Sequence, residues 1–363
     1  MRRPETITDY VERTLASFDS SPFTPVDSLV LSWASYFRVV PDVPAAATPS
    51  GARIRDLLLA EFFPTFFSTQ WDPPHSKALL LAMGASPRYR DVVQFDSVDE
   101  VDPAAQMQFA AASYRLTDDL VYVAFRGTDR TLVGWKEDFN MTVRCPVPAQ
   151  RAAADYLARI AEETCAKLLV GGHSKGGNFA IWAAAANAKR LGDRLVRVYS
   201  HDGPGFLPEI LERPEFALVR PKVAKTVPHS SVVGMLLDQQ GAYDVVKSTR
   251  VGLWQHDPFS WVVEGDGFAL VDRIAPEARR LDETLTAWFE AHTEEEREAF
   301  IDAVYDLVTV PGVETVSDLL DSWQTSLPRI RSRAAAMDPQ TRAFVRDSFA
   351  LLARIGLGLE RGR

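Results

Sequence analysis

The sequence predicts an α/β fold: a mostly parallel sheet flanked by helices, with helical additions at both ends. Three observations predict it. Strand-like and helix-like segments alternate through the middle of the chain. A hairpin-like pair of strands opens that alternation. A Gly-x-Ser-x-Gly run then joins one apolar strand directly to a helix.

Residues 1–90 read as a helical N-terminal addition. Leu29, Val30, Trp33 and Phe37, and then Ile54, Leu57, Leu58 and Phe62, recur at helical spacing, and Pro41, Pro44, Pro73 and Pro74 punctuate the region. Residues 91–270 read as the core. Val92–Phe95, Gln108–Leu116 and Leu120–Phe125 have strand character, and only Thr117-Asp118-Asp119 separates the last two. A helix is expected over Ala149–Ala166, followed by a strand Lys167–Gly171, a helix Asn178–Lys189, a strand Leu195–Ser200, and strands at Val223–Val227 and Tyr243–Ser248. An antiparallel start followed by parallel strands is the pattern of an α/β-hydrolase. Residues 206–222, apolar in part and lying between two strands, are a candidate lid. Residues 271–363 read as helical. Thr293-Glu294-Glu295-Glu296 is a capping box, Asp338-Pro339 starts a further helix, and Gly356 stands where a helix would stop.

Composition narrows the function. The chain has 363 residues, 46% of them hydrophobic and 25% charged, with a formal net charge of −9. The acidic balance argues against a nucleic-acid partner. Two cysteines, Cys145 and Cys165, make neither a disulfide framework nor a cysteine-based metal site, and Cys165 is expected in the core. No metal or organic cofactor is expected. The start of the chain lacks the apolar centre of a signal peptide, and no stretch reaches the roughly 18 apolar residues of a membrane span. The expected location is cytoplasmic. Ser326–Arg363 carries eight arginines against three acidic residues. That excess reads as a solvated helix face, with contact to an anionic membrane surface as the alternative. Phe344, Phe349 and Leu352 are expected to pack on the core.

The chemistry centres on Leu168-Leu169-Val170-Gly171-Gly172-His173-Ser174-Lys175-Gly176-Gly177. A turn from strand straight into helix strains the serine backbone and lifts its hydroxyl clear of the sheet. Gly172 and Gly176, without β-carbons, let strand and helix approach. Ser174 is therefore the candidate nucleophile. A serine hydroxyl needs a histidine base, and the base needs an acid to fix its tautomer. Of six histidines, His256 follows the last predicted strand, where the base belongs, while His201 and His229 follow earlier strands. Asp202 opens the rigid turn Asp202-Gly203-Pro204-Gly205-Phe206 and is the preferred acid, with Asp238 the alternative. The oxyanion donors are expected to be the backbone N–H of Lys175 and, in the loop Phe125-Arg126-Gly127-Thr128-Asp129, Thr128, which can offer both a backbone N–H and a hydroxyl. Asp129 and Asp138 read as structural partners of Arg126 or Lys136, and Trp135 as packing.

Phe125-Arg126-Gly127-Thr128 together with Gly172-His173-Ser174-Lys175-Gly176 resembles the class 3 lipases, which are α/β-hydrolases. A closer likeness is to an uncharacterised, mainly bacterial family of lipase-like α/β-hydrolases, a domain of unknown function. It runs through Val26–Ser32, Gln108–Ala111, Gly134–Asn140, Asp202–Phe206, Ser231–Gly234 and Gln255–Trp261. The resemblance implies a serine hydrolase of lipase, esterase or phospholipase type, with a small-molecule or lipid ester as substrate. The preference for esters over amides rests on it. The same apparatus also suits acyl transfer or thioester hydrolysis, and the fold alone suits a non-catalytic binding protein. The chain departs from the class 3 pattern at Ser230-Ser231-Val232, where the resemblance calls for the acid and this sequence has serine.

Overall fold

The computed structural model describes residues 3–40, 42–44, 50–129, 131–237, 241–309 and 323–337, with 339, 341–343 and 345–347. Asp238, Asp338, Phe344, Phe349, Leu352 and Gly356, all named above, lie outside the described residues.

Eight strands form one sheet in the order in which they occur in the chain. They are β1 (Ala52–Arg53), β2 (Val93–Asp102), β3 (Met107–Thr117), β4 (Leu120–Phe125), β5 (Lys167–His173), β6 (Leu195–His201), β7 (Val223–Pro228) and β8 (Tyr243–Val246). Strands β1 to β4 pair antiparallel, and β4 to β8 pair parallel. This is the mostly parallel, helix-flanked sheet of the α/β-hydrolase fold that the sequence predicts. β2 runs well beyond the expected Val92–Phe95 because Val98–Asp102 pairs with Met107–Ala111 across a tight turn.

Strands β3 to β6 split their buried side chains between two helical layers. Tyr122 and Ala124 of β4 face a core shared with the N-terminal helices, while Val121, Val123 and Phe125 face the other side. The first layer holds α1 (Ile7–Arg13), α2 (Pro25–Ala34), the short α3 (Phe63–Phe66) and α4 (Pro73–Ala85). After β4 comes α5 (Leu132–Asn140), a helix that the sequence reading did not identify. The second layer holds α6 (Pro148–Glu163), α7 (Lys175–Ala186) and the short α8 (Ala188–Leu191). Residues 206–222 form α9 (Pro208–Leu211) and α10 (Pro214–Val219), whose Ile210, Phe216 and Val219 are buried in that second layer. α11 (Pro276–Ala291), α12 (Glu294–Val308) and α13 (Trp323–Ala336) follow the sheet. Cys165 is exposed rather than in the core, because α6 ends at Glu163 and leaves it in the connection to β5.

Polar groups buried under the sheet fix α2 in register. Asp27 caps the helix through the Thr24 N–H at 2.8 Å and accepts a two-pronged contact from Arg88, at 2.8 Å from Nε and 2.6 Å from Nη2. Both side chains are fully buried. Further along, the Tyr122 hydroxyl lies 2.8 Å from Ser28 Oγ and 2.7 Å from Ser32 Oγ. His201 uses Nε2 on Ser28 Oγ and Nδ1 on Thr226 Oγ1, and burial pushes its pKa down to about 3. Both its nitrogens are occupied, which agrees with setting it aside as a base.

Removing one member of a buried ion pair strands the other charge. Asp27→Ala is expected to lower the unfolding free energy by about 3–5 kcal/mol, read from urea denaturation followed by circular dichroism. A loss below about 1 kcal/mol would mean the pair does not hold α2.

Candidate active site

The register of the parallel strands brings the predicted residues to one edge of the sheet. Phe125 is opposite Gly172, and His173 is opposite His201. The loops that follow β4, β5 and β6 therefore emerge side by side, at the carboxyl ends where α/β folds place their sites. They carry Thr128, Ser174 and Asp202 respectively, and His256 follows β8.

Ser174 joins β5 to α7 at φ +59° and ψ −135°, a left-handed conformation unusual for a residue with a side chain. Its N–H donates to His201 O at 2.9 Å, and its carbonyl accepts from the Gly177 N–H at 2.8 Å. The glycines are required by contact. A β-carbon on Gly172 would fall 2.2 Å from the Gly176 backbone, and one on Gly176 would fall 2.0 Å from Phe125 O.

Asp202 is fully buried, and both its oxygens are occupied. Oδ2 lies 2.6 Å from His256 Nδ1. Oδ1 accepts from the Ser231 hydroxyl and, at 3.1 Å, from the Gly234 N–H. Ser231, in the segment where the resemblance calls for a carboxylate, is thus a donor to the carboxylate that Asp202 supplies. Gly234 is needed beside it, since a β-carbon there would fall 2.2 Å from Oδ1. The turn that carries Asp202 is held by Lys225 Nζ on Gly203 O and by Asn178 Nδ2 on Gly205 O, each at 2.7 Å. His256 ends a short 3-10 turn, Gly252–His256, and its side chain is 29% exposed, so one side of the imidazole remains open. Its ring lies against that of His173, tilted by 35° and 4.6 Å away between centroids. His173 is the chain neighbour of Ser174.

The loop after β4 covers Ser174 closely. A β-carbon on Gly127 would fall 2.9 Å from Ser174 Cβ, and the Gly127 N–H donates to the Tyr36 hydroxyl at 3.0 Å. The Thr128 hydroxyl donates to Asp138 Oδ2 at 2.5 Å. Lys175 is the first residue of α7, where N–H groups have no partner inside the helix. Its side chain is buried, with Nζ 3.1 Å from Glu137 Oε2 and 3.2 Å from Gln108 O. Glu137 also accepts from the N–H groups of Gln108 and Ala149, at 3.0 and 2.9 Å. This network ties α7 to α5.

Two expectations about this region are corrected. Asp138 pairs with Thr128 and lies 3.7 Å from Lys175, not beside Arg126 or Lys136. Lys136 points instead to α12, with Asp302 at 2.8 Å and the Tyr305 ring at 4.6 Å. Trp135 is 40% exposed and meets only the edge of Trp71 among the described rings, because it lies on the outer side of α5. Asp129 does meet Arg126, at 3.4 Å, and Arg126 also reaches Asp99 at 2.7 Å. The sequence reading missed Ser231, Gly234, Lys225, Glu137 and the Thr128 contact of Asp138. The lipase-like runs contain Ser231, Gly234, Glu137 and Asp138, but their partners lie in other elements of the fold. No group of three or more metal-ligating side chains occurs among the described residues, and no helix among them is long and apolar enough to cross a membrane.

A family model described as Mbeg1-like matches residues 83–306, which include Thr128, Ser174, Lys175, Asp202 and His256. Among solved structures, the chain is similar to a lipase from Rhizopus microsporus var. chinensis, with 14% identity over 81% of this chain and 88% of that one and a TM-score of 0.39. It is similar to Rhizomucor miehei lipase in a propeptide complex, with 16% identity over 61% and 66% of the two chains and a TM-score of 0.36. A third is lipase II from Rhizopus niveus, with 16% identity over 61% and 77% and a TM-score of 0.37. No curated protein matches the chain.

Burial raises the Asp138 pKa to about 6, against the lowering effects of Lys175 and of the Thr128 hydrogen bond. A carboxyl raised in the folded state binds its proton more tightly there than in the unfolded chain. Its ionised form therefore opposes folding above pH 6, and the opposition fades as pH falls through 6 towards the unfolded value near 3.8. Asp138→Asn removes the titration. Its stability relative to the parent is expected to be about 1 kcal/mol more favourable at pH 8 than at pH 5, measured by urea denaturation at both values. An equal difference at the two pH values would show that Asp138 is not raised.

Proposed function

The chain belongs to the Mbeg1-like family, and on that premise we propose that it is a serine hydrolase that cleaves carboxylic esters. The carrying observation is the 2.6 Å contact of His256 Nδ1 with the buried Asp202, on the same sheet edge as the strained Ser174. The preference for esters draws on the lipase-like motifs around Thr128 and Ser174.

In this reading the Asp202 carboxylate accepts a hydrogen bond from His256 Nδ1–H, which leaves Nε2 bare and able to act as base. Ser174 Oγ attacks the acyl carbonyl as its proton passes to Nε2. The carbonyl π pair moves onto oxygen, where the N–H groups of Thr128 and Lys175 receive it. Collapse breaks the bond to the alcohol, which departs with the proton from Nε2. Water then repeats the sequence on the acyl-enzyme: Nε2 takes its proton, the acid is released, and Ser174 recovers its hydrogen. Asp202 stays ionised throughout, and its donors from Ser231 and Gly234 suit it to that task. The Thr128 hydroxyl, committed to Asp138, keeps its residue in one orientation, so the backbone N–H is the group offered to the oxyanion.

Ser174→Ala is expected to abolish both labelling by a fluorophosphonate probe and hydrolysis of p-nitrophenyl esters. Undiminished labelling would sink the nucleophile assignment. Asp202→Asn is expected to reduce kcat by about 10⁴-fold, with the remaining activity still dependent on Ser174. Absence of labelling and of turnover across acyl-chain lengths in the unaltered protein would favour a binding role for the fold.

A further inference from the structure

We propose that His173 is a positioning residue for His256, acting as a neutral hydrogen-bond donor that locks the base to the nucleophile's own strand. This rests on the reading of Ser174 and His256 as nucleophile and base.

The geometry fixes the chemical state of His173. Its Nε2 lies 2.9 Å from the backbone carbonyl oxygen of His256. A carbonyl can only accept, so Nε2 carries the proton. Nδ1 is buried and has no partner among the described residues. A second proton there would be an orphaned buried donor, so the ring is neutral. The side chain is 3% exposed and sits among the rings of Trp33, Tyr36, Trp261 and His256. Burial, and then the neighbouring His256, hold its pKa well below the usual histidine range.

His256 needs such a restraint. It ends a 3-10 turn rather than a strand, and the Asp202 contact holds only one atom of its ring. A ring held at one atom can still swing with its backbone. The His173 contact fixes the backbone carbonyl of the same residue. His173 is also the last residue of β5 and covalently precedes Ser174. One hydrogen bond therefore sets the base in the frame of the nucleophile, independently of the acid. Neutrality matters as well. His256 takes up a proton when Ser174 attacks, and its ring faces His173 at 4.6 Å. A charged neighbour at that distance would oppose the uptake, whereas a neutral imidazole does not.

His173→Phe keeps a ring in the cage and deletes the donor. His173→Gln places an amide N–H close to the position of Nε2. With p-nitrophenyl esters, His173→Phe is expected to lower kcat by about 10- to 100-fold, the range that small misplacements of a catalytic group produce, with little change in KM. Fluorophosphonate labelling should slow in parallel, and His173→Gln should recover most of the loss. The second readout is the downfield proton resonance of His256 Nδ1–H bound to Asp202. It should shift or broaden in the Phe variant and return towards its original position in the Gln variant. A Phe variant with the parent's kcat and resonance would overturn the proposal. So would a Gln variant no better than Phe at equal Tm. If the unaltered protein neither labels nor turns over esters, the hydrolase reading fails, and the resonance alone then decides whether His173 holds His256.

Discussion

Three backbone segments meet at the heart of the molecule: the end of β4, the end of β5 and the first turn of α7. At Gly172 and Gly176 no side chain fits between them, and the missing β-carbons would lie 2.2 and 2.0 Å from neighbouring backbone. Everything at the sheet edge inherits this spacing. It forces Ser174 into its left-handed conformation. It lays Gly127 over the serine, and it puts the start of α7 beside the loop that carries Thr128. The strain, of order 1–3 kcal/mol for a residue in such a region, persists because the flanking strands and both helical layers hold the turn from all sides. A larger residue at either glycine would move the Gly127–Thr128 loop and Ser174 together.

Around that backbone the protein has buried several charged groups, each with partners of its own. Asp202 meets His256, Ser231 and Gly234. Lys175 meets Glu137, and Glu137 meets two backbone donors. Burial pushes Lys225 down to about 7 while Asp202 and Asp282 draw it back up. A buried ion is costly unless its remaining valences are satisfied, so these contacts specify one arrangement of loops more than they add stability. They also form two separate sets. The partners of Asp202 come from the segments after β7 and β8, whereas the partner of Thr128 comes from α5. A change in one set need not disturb the other.

What could be read from the sequence was what local pattern encodes. The elbow at Ser174 was legible because strand, glycines and helix follow one another without interruption. β4 to β7 were legible from their apolar runs, and the meeting of His256 with Asp202 from their places after strands. α5 was not legible. Leu132–Asn140 includes Gly134 and a charged run, and its buried Glu137 and Lys136 break the apolar period of a helix face. Asp138 was assigned to the wrong partner for a related reason. Its true contact lies ten residues back and exists only because α5 folds against the loop. Ser231 read as a missing acid because a single sequence position cannot show that the loop after a neighbouring strand supplies the carboxylate.

The N-terminal helices carry a consequence for the order of assembly. Ser28 bonds Tyr122 and His201, at separations of 94 and 173 residues, and Arg13 reaches the carbonyl of Gly265, 252 residues away. Glu5 bridges to Val263. The segment around α1 is thus completed by a segment that follows β8. On a ribosome, α1 and α2 would emerge with their apolar faces uncovered and wait for roughly two hundred residues before the last of their partners appear. Such distant closures slow folding and lengthen the life of sticky intermediates. The same set of contacts makes the loop after β4 a late product: Tyr36, which holds Gly127, belongs to the part of the chain that must wait.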